Sequence, residues 1–336
     1  MIRNVASALH DAALSSNFSG VIRLDHPDEQ PWTHAYGFAD RAREQEMTVD
    51  HRCVLASVSK GFTALAIGSL IDRGLLTLET LVRPILDQDL PLVDDSVTIG
   101  HLLAHTSGIG DYIDEAEGEV SDYVFDRPVH LFDNTTSFLP VLDGRPHLSA
   151  PGEQFRYCNS GFVVLALIAE RVSGKSYHDL VQETVFASAG MDSSGFPRTD
   201  EIDGDTALGY IEESGYRTNV LHLPLRGSGD GGAVSTVADL AAFWSALFDG
   251  RIVSQSTLRA LIEPLHPVEA EHMRYGRGFW RAWTSELVML EGYDAGVSAR
   301  TWYDPESGAS GSIIANTSEG AWPLVGAIDW PQRDSQ

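Results

Sequence analysis

The chain has 336 residues, of which 43% are hydrophobic and 21% are charged, as expected for a globular protein with a substantial core. Its formal net charge of −25 opposes contact with the phosphates of nucleic acids and with anionic membranes. Two cysteines are too few for a disulfide framework, and no apolar run is long enough to cross a membrane. We therefore expect a cytoplasmic protein whose partner is a small molecule.

The N-terminal part of the chain is predicted to contain a helix, two strands and a second helix. Residues 1–16 have a helical pattern, and strand-like segments at 19–24 and 32–38 are separated by a turn-rich stretch. Apolar residues at helical spacing then predict a helix over 62–70, with Gly74 as its stop.

The rest of the chain divides into a helical middle and a strand-rich end. From residue 84 to 235, short helices alternate with long loops. Within this stretch, the acidic segment 111–146 is a candidate lid or substrate-binding insertion, and residues 162–171 form a strongly apolar helix. The later strands are predicted at 278–284, 286–290, 297–303 and 312–316, and a closing helix at 321–328.

Strands at both ends of the chain predict an α/β fold of the α+β type, in which an antiparallel sheet is flanked by helices and carries an inserted, mostly helical subdomain. The sheet domain would be discontinuous, with residues 1–83 and 236–336. The helical subdomain with its long loops would span residues 84–235. The cleft between these two units is the expected place for an active site.

Lysine is rare in this chain, and one of its two lysines, Lys60, follows Ser57 by three positions. On a helix, this spacing places both side chains on one face. Ser57 would lie at or just before the first turn, where unpaired N–H groups favour developing negative charge. A desolvated lysine can lose its proton there and activate the hydroxyl. Taken alone, the motif more often represents a capping serine beside a solvated lysine.

A second polar pair, Tyr157 and Asn159, precedes the apolar helix at 162–171. A phenol that shares its proton with Lys60 can take the proton of Ser57 and return it to a leaving group. The amide of Asn159 can hydrogen-bond both the lysine and the substrate. By themselves, the two residues also fit a half-buried loop tyrosine and a helix-capping asparagine.

Other polar residues are weaker candidates. Tyr112 is predicted to line the cleft, and Trp280 is a further candidate for which a core position is favoured. His101 and His105 have a metal-capable spacing on a predicted helix, but they lack a third ligand, so we expect a structural role and no metal site. Cys158 is interpreted as a small buried side chain rather than a reactive thiol.

Six motifs follow one another along the chain, at residues 36–40, 57–60, 101–108, 151–161, 231–236 and 275–279. In this order, they resemble the serine β-lactamase and penicillin-binding-protein-like superfamily, specifically its class C β-lactamase and family VIII esterase branch. The resemblance covers nearly the whole chain and implies a β-lactamase/transpeptidase-like fold. It also implies that Ser57 is the acylated nucleophile, that Lys60 and Tyr157 form the acid/base pair, and that Asn159 supports them.

The third motif of that family departs from its usual form here. It is a strand segment, usually Lys-Thr-Gly or His-x-Gly, and the matching positions are Leu290, Glu291 and Gly292. The basic residue is missing, so we disfavour β-lactams, whose carboxylate the family binds at this strand. Gly292 still permits a close approach to the substrate, and the N–H groups of Tyr293 and Ser57 are expected to form the oxyanion hole.

Together, the residues and the resemblance predict a serine hydrolase without a cofactor, which forms an acyl-enzyme on Ser57 and hydrolyses carboxylic esters. Hydrolysis of D-amino-acid peptides or amides, or weak β-lactamase activity, is the enzymatic alternative. A catalytically weak relative that binds peptides or cell-wall fragments is the non-enzymatic one. The expected substrate is a small ester or amide.

Overall fold

The computed structural model describes residues 2–113 and 123–328. Its strands are β1 (Gly20–His26), β2 (Glu29–Tyr36), β3 (Phe38–Asp40), β4 (Gln45–Glu46), β5 (Cys53–Val54), β6 (Val234–Ser235), β7 (His266–Val268), β8 (Met273–Tyr275), β9 (Trp280–Ala282), β10 (Val288–Asp294), β11 (Val297–Tyr303) and β12 (Ser310–Ala315). Eight of them form one sheet in the order β2-β1-β12-β11-β10-β9-β8-β7, while β3-β4 and β5-β6 form separate pairs. Every neighbouring pair in the large sheet is antiparallel, which confirms the predicted sheet.

The α-helices of the described residues are α1 (Ile2–Ser15), α2 (Ser59–Asp72), α3 (Arg83–Leu86), α4 (Ile99–Leu103), α5 (Leu139–Leu142), α6 (Asn159–Ser173), α7 (Tyr177–Val181), α8 (Ala187–Ala189), α9 (Val237–Phe248), α10 (Gln255–Ile262) and α11 (Trp322–Ala327). A 3₁₀ turn at Ala56–Val58 leads directly into α2. None of these helices is both long and apolar enough to cross a membrane.

The large sheet separates two apolar cores. On one face, α1 and α11 pack side chains such as Leu9 and Leu324 against Ile22 and Trp302. On the other face, α2 and α9 pack against the sheet, and α2 also contacts α6. Twelve of the 14 residues of α2 are buried, because this helix lies between the sheet and the helical middle. The residues at its N-terminus are therefore held at the join between the two.

Most predicted elements are confirmed, and the differences have local causes. The predicted helix over 62–70 begins earlier, at Ser59. The strand predicted at 286–290 is observed at Val288–Asp294, where the charge of Glu291 is paired with Arg300 on β11. Strands β7 and β8 were not predicted, since each has only three residues and β7 contains Pro267.

Part of the proposed lid lies outside the described residues, namely 114–122 of the segment 111–146. The described remainder contains 3₁₀ turns at Val129–Leu131 and Thr135–Phe138, followed by α5. The lid role stays a prediction, as do the domain boundaries after residues 83 and 235. The structure does place the two ends of the chain in one sheet, with α3 to α8 between them in sequence.

Candidate active site

Ser57 lies in the 3₁₀ turn that precedes α2, and Lys60 lies in the first turn of that helix. The lysine Nζ is 2.7 Å from the serine Oγ, as the three-residue spacing predicted. The turn begins at Ala56, whose φ of 46° is unusual for a residue with a side chain. Such strain persists where the surrounding structure enforces it, and here it presents the Ser57 hydroxyl to the cleft.

Lys60 is only 2% exposed, and its Nζ donates three hydrogen bonds. The acceptors are Ser57 Oγ at 2.7 Å, Asn159 Oδ1 at 2.7 Å and the Asp230 carbonyl oxygen at 2.8 Å. Two of these acceptors are carbonyl oxygens that cannot donate, whereas the serine hydroxyl can. A neutral amine would keep its two N–H bonds to the carbonyls and direct its lone pair at Ser57. The geometry thus suits proton transfer from the hydroxyl to the amine.

Tyr157 is half-buried in the loop before α6. The centre of its ring lies 4.9 Å from Lys60 Nζ, and the ring stacks on Trp280 with 6.3 Å between ring centroids and 12° between planes. The proposed core position of Trp280 is also confirmed, since this side chain is buried. Tyr157 therefore belongs to the same cluster as Ser57 and Lys60, although the two segments are about 100 residues apart.

Asn159 is the first residue of α6, and its position depends on Asp111, which sequence reasoning did not single out. The Asp111 carboxylate accepts the N–H of Asn159 at 2.7 Å, and it accepts the N–H and the hydroxyl of Ser160 at 2.8 and 3.0 Å. It caps the helix in place of Cys158, whose side chain makes no capping bond. Burial raises the pKa of Asp111 to about 6 despite these hydrogen bonds.

Tyr112 is connected to Lys60 through Asp230. Its hydroxyl donates to Asp230 Oδ2 at 2.5 Å, and its N–H donates to Ser160 Oγ at 2.9 Å. Burial, reinforced by the negative charge of Asp230, raises the pKa of the Tyr112 phenol well above its ordinary value. Tyr112 lines the cleft as expected, and it also orients the residue whose carbonyl accepts a hydrogen bond from Lys60.

Gly292 brings strand β10 against the nucleophile. A Cβ at this position would collide with the Leu55 carbonyl oxygen and lie 3.1 Å from Ser57 N, so only glycine fits. The following residue, Tyr293, lines the cleft together with Ser57. This placement is compatible with an oxyanion hole formed by their N–H groups, a role that stays a prediction.

Leu290 and Glu291, the two residues before Gly292 in β10, stand where the third motif of the family usually has a basic residue. Leu290 is buried against α2, where a Cβ at Gly61 would lie 2.6 Å from a methyl group of Leu290. Glu291 forms an ion pair with Arg300 on β11. Burial raises the pKa of Glu291 although the charge of Arg300 opposes this shift. Neither residue offers a positive charge to a bound substrate.

The rest of the cleft has an apolar wall and a few charged groups. The apolar and aromatic lining residues are Val54, Ile113, Tyr123, Phe125, Pro197, Ile202, Leu223, Pro224 and Val234. Asp294 lines the cleft at the end of β10, and Arg198 lines it at another edge. The guanidinium of Arg198 makes hydrogen bonds of 2.9 and 3.0 Å to Asp200, so its charge is locally balanced.

His101 and His105 do not form a metal site. His101 belongs to a capping box at the start of α4. The expectation that both residues lie on one helix is wrong, because α4 ends at Leu103 and His105 has a φ of 56°, which a helix cannot continue. Over residues 2–113 and 123–328, no group of three His, Cys, Asp or Glu residues could hold a metal ion. Cys158 is buried, with its Sγ 3.7 Å from the Ile109 carbonyl oxygen.

Comparisons with known proteins identify relatives of this chain. A family model described as "Beta-lactamase" matches residues 4–329. Penicillin-binding protein 4* of Bacillus subtilis is 29% identical over 78% of this chain and 59% of its own length. A D-aminopeptidase of Brucella ovis is 31% identical over 79% of this chain and 50% of its own length. The chain thus spans between half and three fifths of these curated relatives.

Solved structures include one that resembles this chain over almost all of its length. The penicillin-binding protein from Bacillus halodurans is 34% identical, with a TM-score of 0.89, and the match covers 96% of this chain and 99% of that one. The structural match therefore includes both the sheet and the helical middle of this chain.

Proposed function

The chain belongs to the beta-lactamase family of serine hydrolases, and on that premise we propose that it hydrolyses carboxylic esters through a covalent acyl-enzyme on Ser57. One observation carries the proposal: Lys60 Nζ lies within hydrogen-bond distance of two carbonyl oxygens and of the Ser57 hydroxyl. Of these three groups, only the hydroxyl can give a proton to a neutral lysine.

Acylation follows from the positions of these groups. Ser57 Oγ attacks the ester carbonyl carbon while its proton moves to Lys60, with Tyr157 as the partner that shares this proton. The carbonyl electron pair moves to oxygen, and the N–H groups of Ser57 and Tyr293 stabilise the resulting anion. When the carbon–oxygen bond to the alcohol breaks, the proton passes to the leaving alkoxide. Water then attacks the acyl-enzyme and restores the Ser57 hydroxyl by the reverse transfers.

The charges around the cleft favour a substrate without a carboxylate. Leu290 provides no cation, and Arg300 on β11 is paired with Glu291. Asp294 adds negative charge to the lining of the cleft. The net charge of −25 also repels anions at longer range. Neutral esters with an apolar acyl group match the apolar wall, whereas the carboxylate of a β-lactam would find no compensating charge.

The D-amino-acid peptidase or amidase alternative is supported by one specific feature, the Asp294 carboxylate in the cleft. A protonated amine is the group that a carboxylate attracts. The 31% identity to a D-aminopeptidase points in the same direction. An amine-bearing substrate is therefore our second candidate, and the same assay distinguishes the two.

The test compares three chromogenic substrates on the purified protein: p-nitrophenyl butyrate, D-alanyl p-nitroanilide and a cephalosporin. We expect ester turnover, and Ser57→Ala should abolish it. The control is Ser69→Ala, which changes a serine of α2 and should leave the turnover intact. Faster turnover of the anilide would favour the second candidate. Failure to turn over any substrate, with no labelling of Ser57 by a fluorophosphonate, would support a binding protein instead and refute the proposal.

A further inference from the structure

His105 contacts the backbone on both sides of Tyr157. Its carbonyl oxygen accepts the N–H of Arg156 at 2.8 Å, and its ring Nδ1 accepts the N–H of Cys158 at 3.1 Å. Its ring also packs against the Tyr157 ring, with 4.4 Å between centroids. One residue thus holds the tyrosine by both flanking amides and by its ring, although the two lie about 50 positions apart in the sequence.

The hydrogen bond to Nδ1 determines the state of the His105 ring. Because Nδ1 accepts an N–H, it carries no proton, and the neutral ring must carry its proton on Nε2. The side chain is 2% exposed, and Nε2 has no hydrogen-bond partner within the part of the chain that the structure describes. Burial lowers the pKa of His105 well below its ordinary value, and Lys60 lowers it further when its amine is protonated.

Two features of His105 are energetically unfavourable. A buried N–H without a partner is unfavourable, and so is a φ of 56° in a residue with a side chain. Glycine would adopt this backbone conformation more readily. The cost is explained if the imidazole supplies something that glycine cannot, namely an acceptor for Cys158 N–H together with a flat ring against Tyr157.

We propose that His105 is a positioning residue for catalysis, which fixes the phenol of Tyr157 beside Lys60 chiefly through the Cys158 N–H bond, with the ring contact as a secondary support. This inference rests on the proposed role of Tyr157 in proton transfer. His105 itself stays neutral and contacts no reacting atom. Its neutrality also matters, since a second cation next to Tyr157 would oppose proton uptake by Lys60.

Two substitutions separate the acceptor from the ring. His105→Asn keeps an oxygen that can accept Cys158 N–H and tolerates the positive φ, whereas His105→Phe keeps a flat ring without an acceptor. We measure kcat and KM for p-nitrophenyl butyrate per fluorophosphonate-titrated active site. His105→Phe should lower kcat about 10- to 100-fold with KM within about threefold, because small displacements of a proton-transfer group are costly. His105→Asn should retain kcat within about tenfold.

A double-substitution cycle then asks whether the effect passes through Tyr157. In a Tyr157→Phe background, His105→Phe should lower the acylation rate by less than about threefold, because the group that it positions is already gone. Equal losses with and without the Tyr157 hydroxyl would overturn the proposal, and so would equal losses from the Asn and Phe variants.

Crystal structures of the two variants give a readout that does not depend on turnover. We expect the Tyr157 ring to be displaced in His105→Phe and to stay in place in His105→Asn. If the wild-type protein hydrolyses no ester, the proposed function fails, yet these structures still decide whether His105 positions the tyrosine. An unmoved Tyr157 in His105→Phe refutes the inference by itself.

Discussion

Asp111 and Asn159 are joined by a hydrogen bond of 2.7 Å between the carboxylate of the first and the N–H of the second. Through it, the loop after α4 caps the helix whose first side chain contacts Lys60. The network closes on the other side, since Tyr112, the neighbour of Asp111, donates to Asp230, whose carbonyl accepts a hydrogen bond from Lys60. Lys60 is therefore one member of a hydrogen-bond network that also connects Asn159, Asp111, Tyr112 and Asp230.

The first prediction concerns how Asp111 affects stability as the pH changes. Its pKa in the folded protein, about 6, lies above the ordinary value of 3.8, so the folded state binds more protons than the unfolded state between these values. Stability from this group is present at low pH and falls as the pH rises from about 4 to 6, by up to about 3 kcal/mol.

Urea unfolding of the wild type and of Asp111→Asn at several pH values measures this effect. The asparagine resembles the protonated acid, so the free-energy difference between the two proteins should be smallest near pH 4. The wild type should then lose stability relative to the variant as the pH rises to 7. A difference that does not change with pH, or that grows in favour of the wild type, contradicts the prediction.

The second prediction separates the charge of Lys60 from its ability to give up a proton. Arginine keeps a positive charge and several donors, but it does not lose its proton in proteins. We expect Lys60→Arg to lower the rate of Ser57 acylation at least about 100-fold, as for the loss of a general base. The measurement is the labelling rate with a fluorophosphonate, followed by mass spectrometry.

The other lysine of the chain supplies the matched control. Lys175 is exposed and pairs with Glu183 at the surface, so Lys175→Arg should leave the labelling rate unchanged. Comparable rates for Lys60→Arg and the wild type would show that Lys60 acts only through its charge.

The third prediction concerns the bond between Tyr112 and Asp230. Tyr112→Phe removes a buried hydroxyl that donates to a carboxylate at 2.5 Å, and we expect a loss of about 1.5–3 kcal/mol in the free energy of unfolding. Because Asp230 also accepts a hydrogen bond from Lys60 through its carbonyl, ester hydrolysis should fall about tenfold or more.

Chemical unfolding and steady-state kinetics on the same preparations test both parts. The control is Tyr216→Phe, which changes an exposed tyrosine and should stay within about 0.5 kcal/mol of the wild type. If Tyr112→Phe lost stability but kept full activity, the network would be structural and would not orient Lys60.

Local patterns were enough to predict most of the fold and the Ser57–Lys60 pair. Helical spacing located α1 and α6, strand patterns located β11, and the three-residue spacing placed Ser57 and Lys60 on one helix face. The joining of Tyr157 and Asn159 to this pair was predicted only because their motif resembles that of a known family.

The residues that position this site could not be predicted in the same way. Asp111 and Asp230 belong to irregular segments, and their partners Asn159 and Lys60 lie 48 and 170 positions away. An isolated aspartate in a loop has the same local pattern whether it caps a distant helix or faces solvent. Likewise, the ion pair of Glu291 with Arg300 was not predicted, because the two residues become neighbours only after β10 and β11 pair.

The last prediction tests the close approach of β10 to the nucleophile. In Gly292→Ala, the new methyl group would collide with the Leu55 carbonyl oxygen and lie 3.1 Å from Ser57 N, so the strand and the serine turn must move apart. We expect a stability loss of about 1–3 kcal/mol from overpacking and a fall in ester hydrolysis of at least about 100-fold from displacement of the predicted oxyanion hole.

Gly204→Ala is the control, because no atom lies within 4 Å of its added methyl group. Since the N–H of Tyr293 follows Gly292 directly, the loss should appear in kcat rather than KM. A Gly292→Ala enzyme with wild-type kcat would show that β10 does not contribute to anion stabilisation.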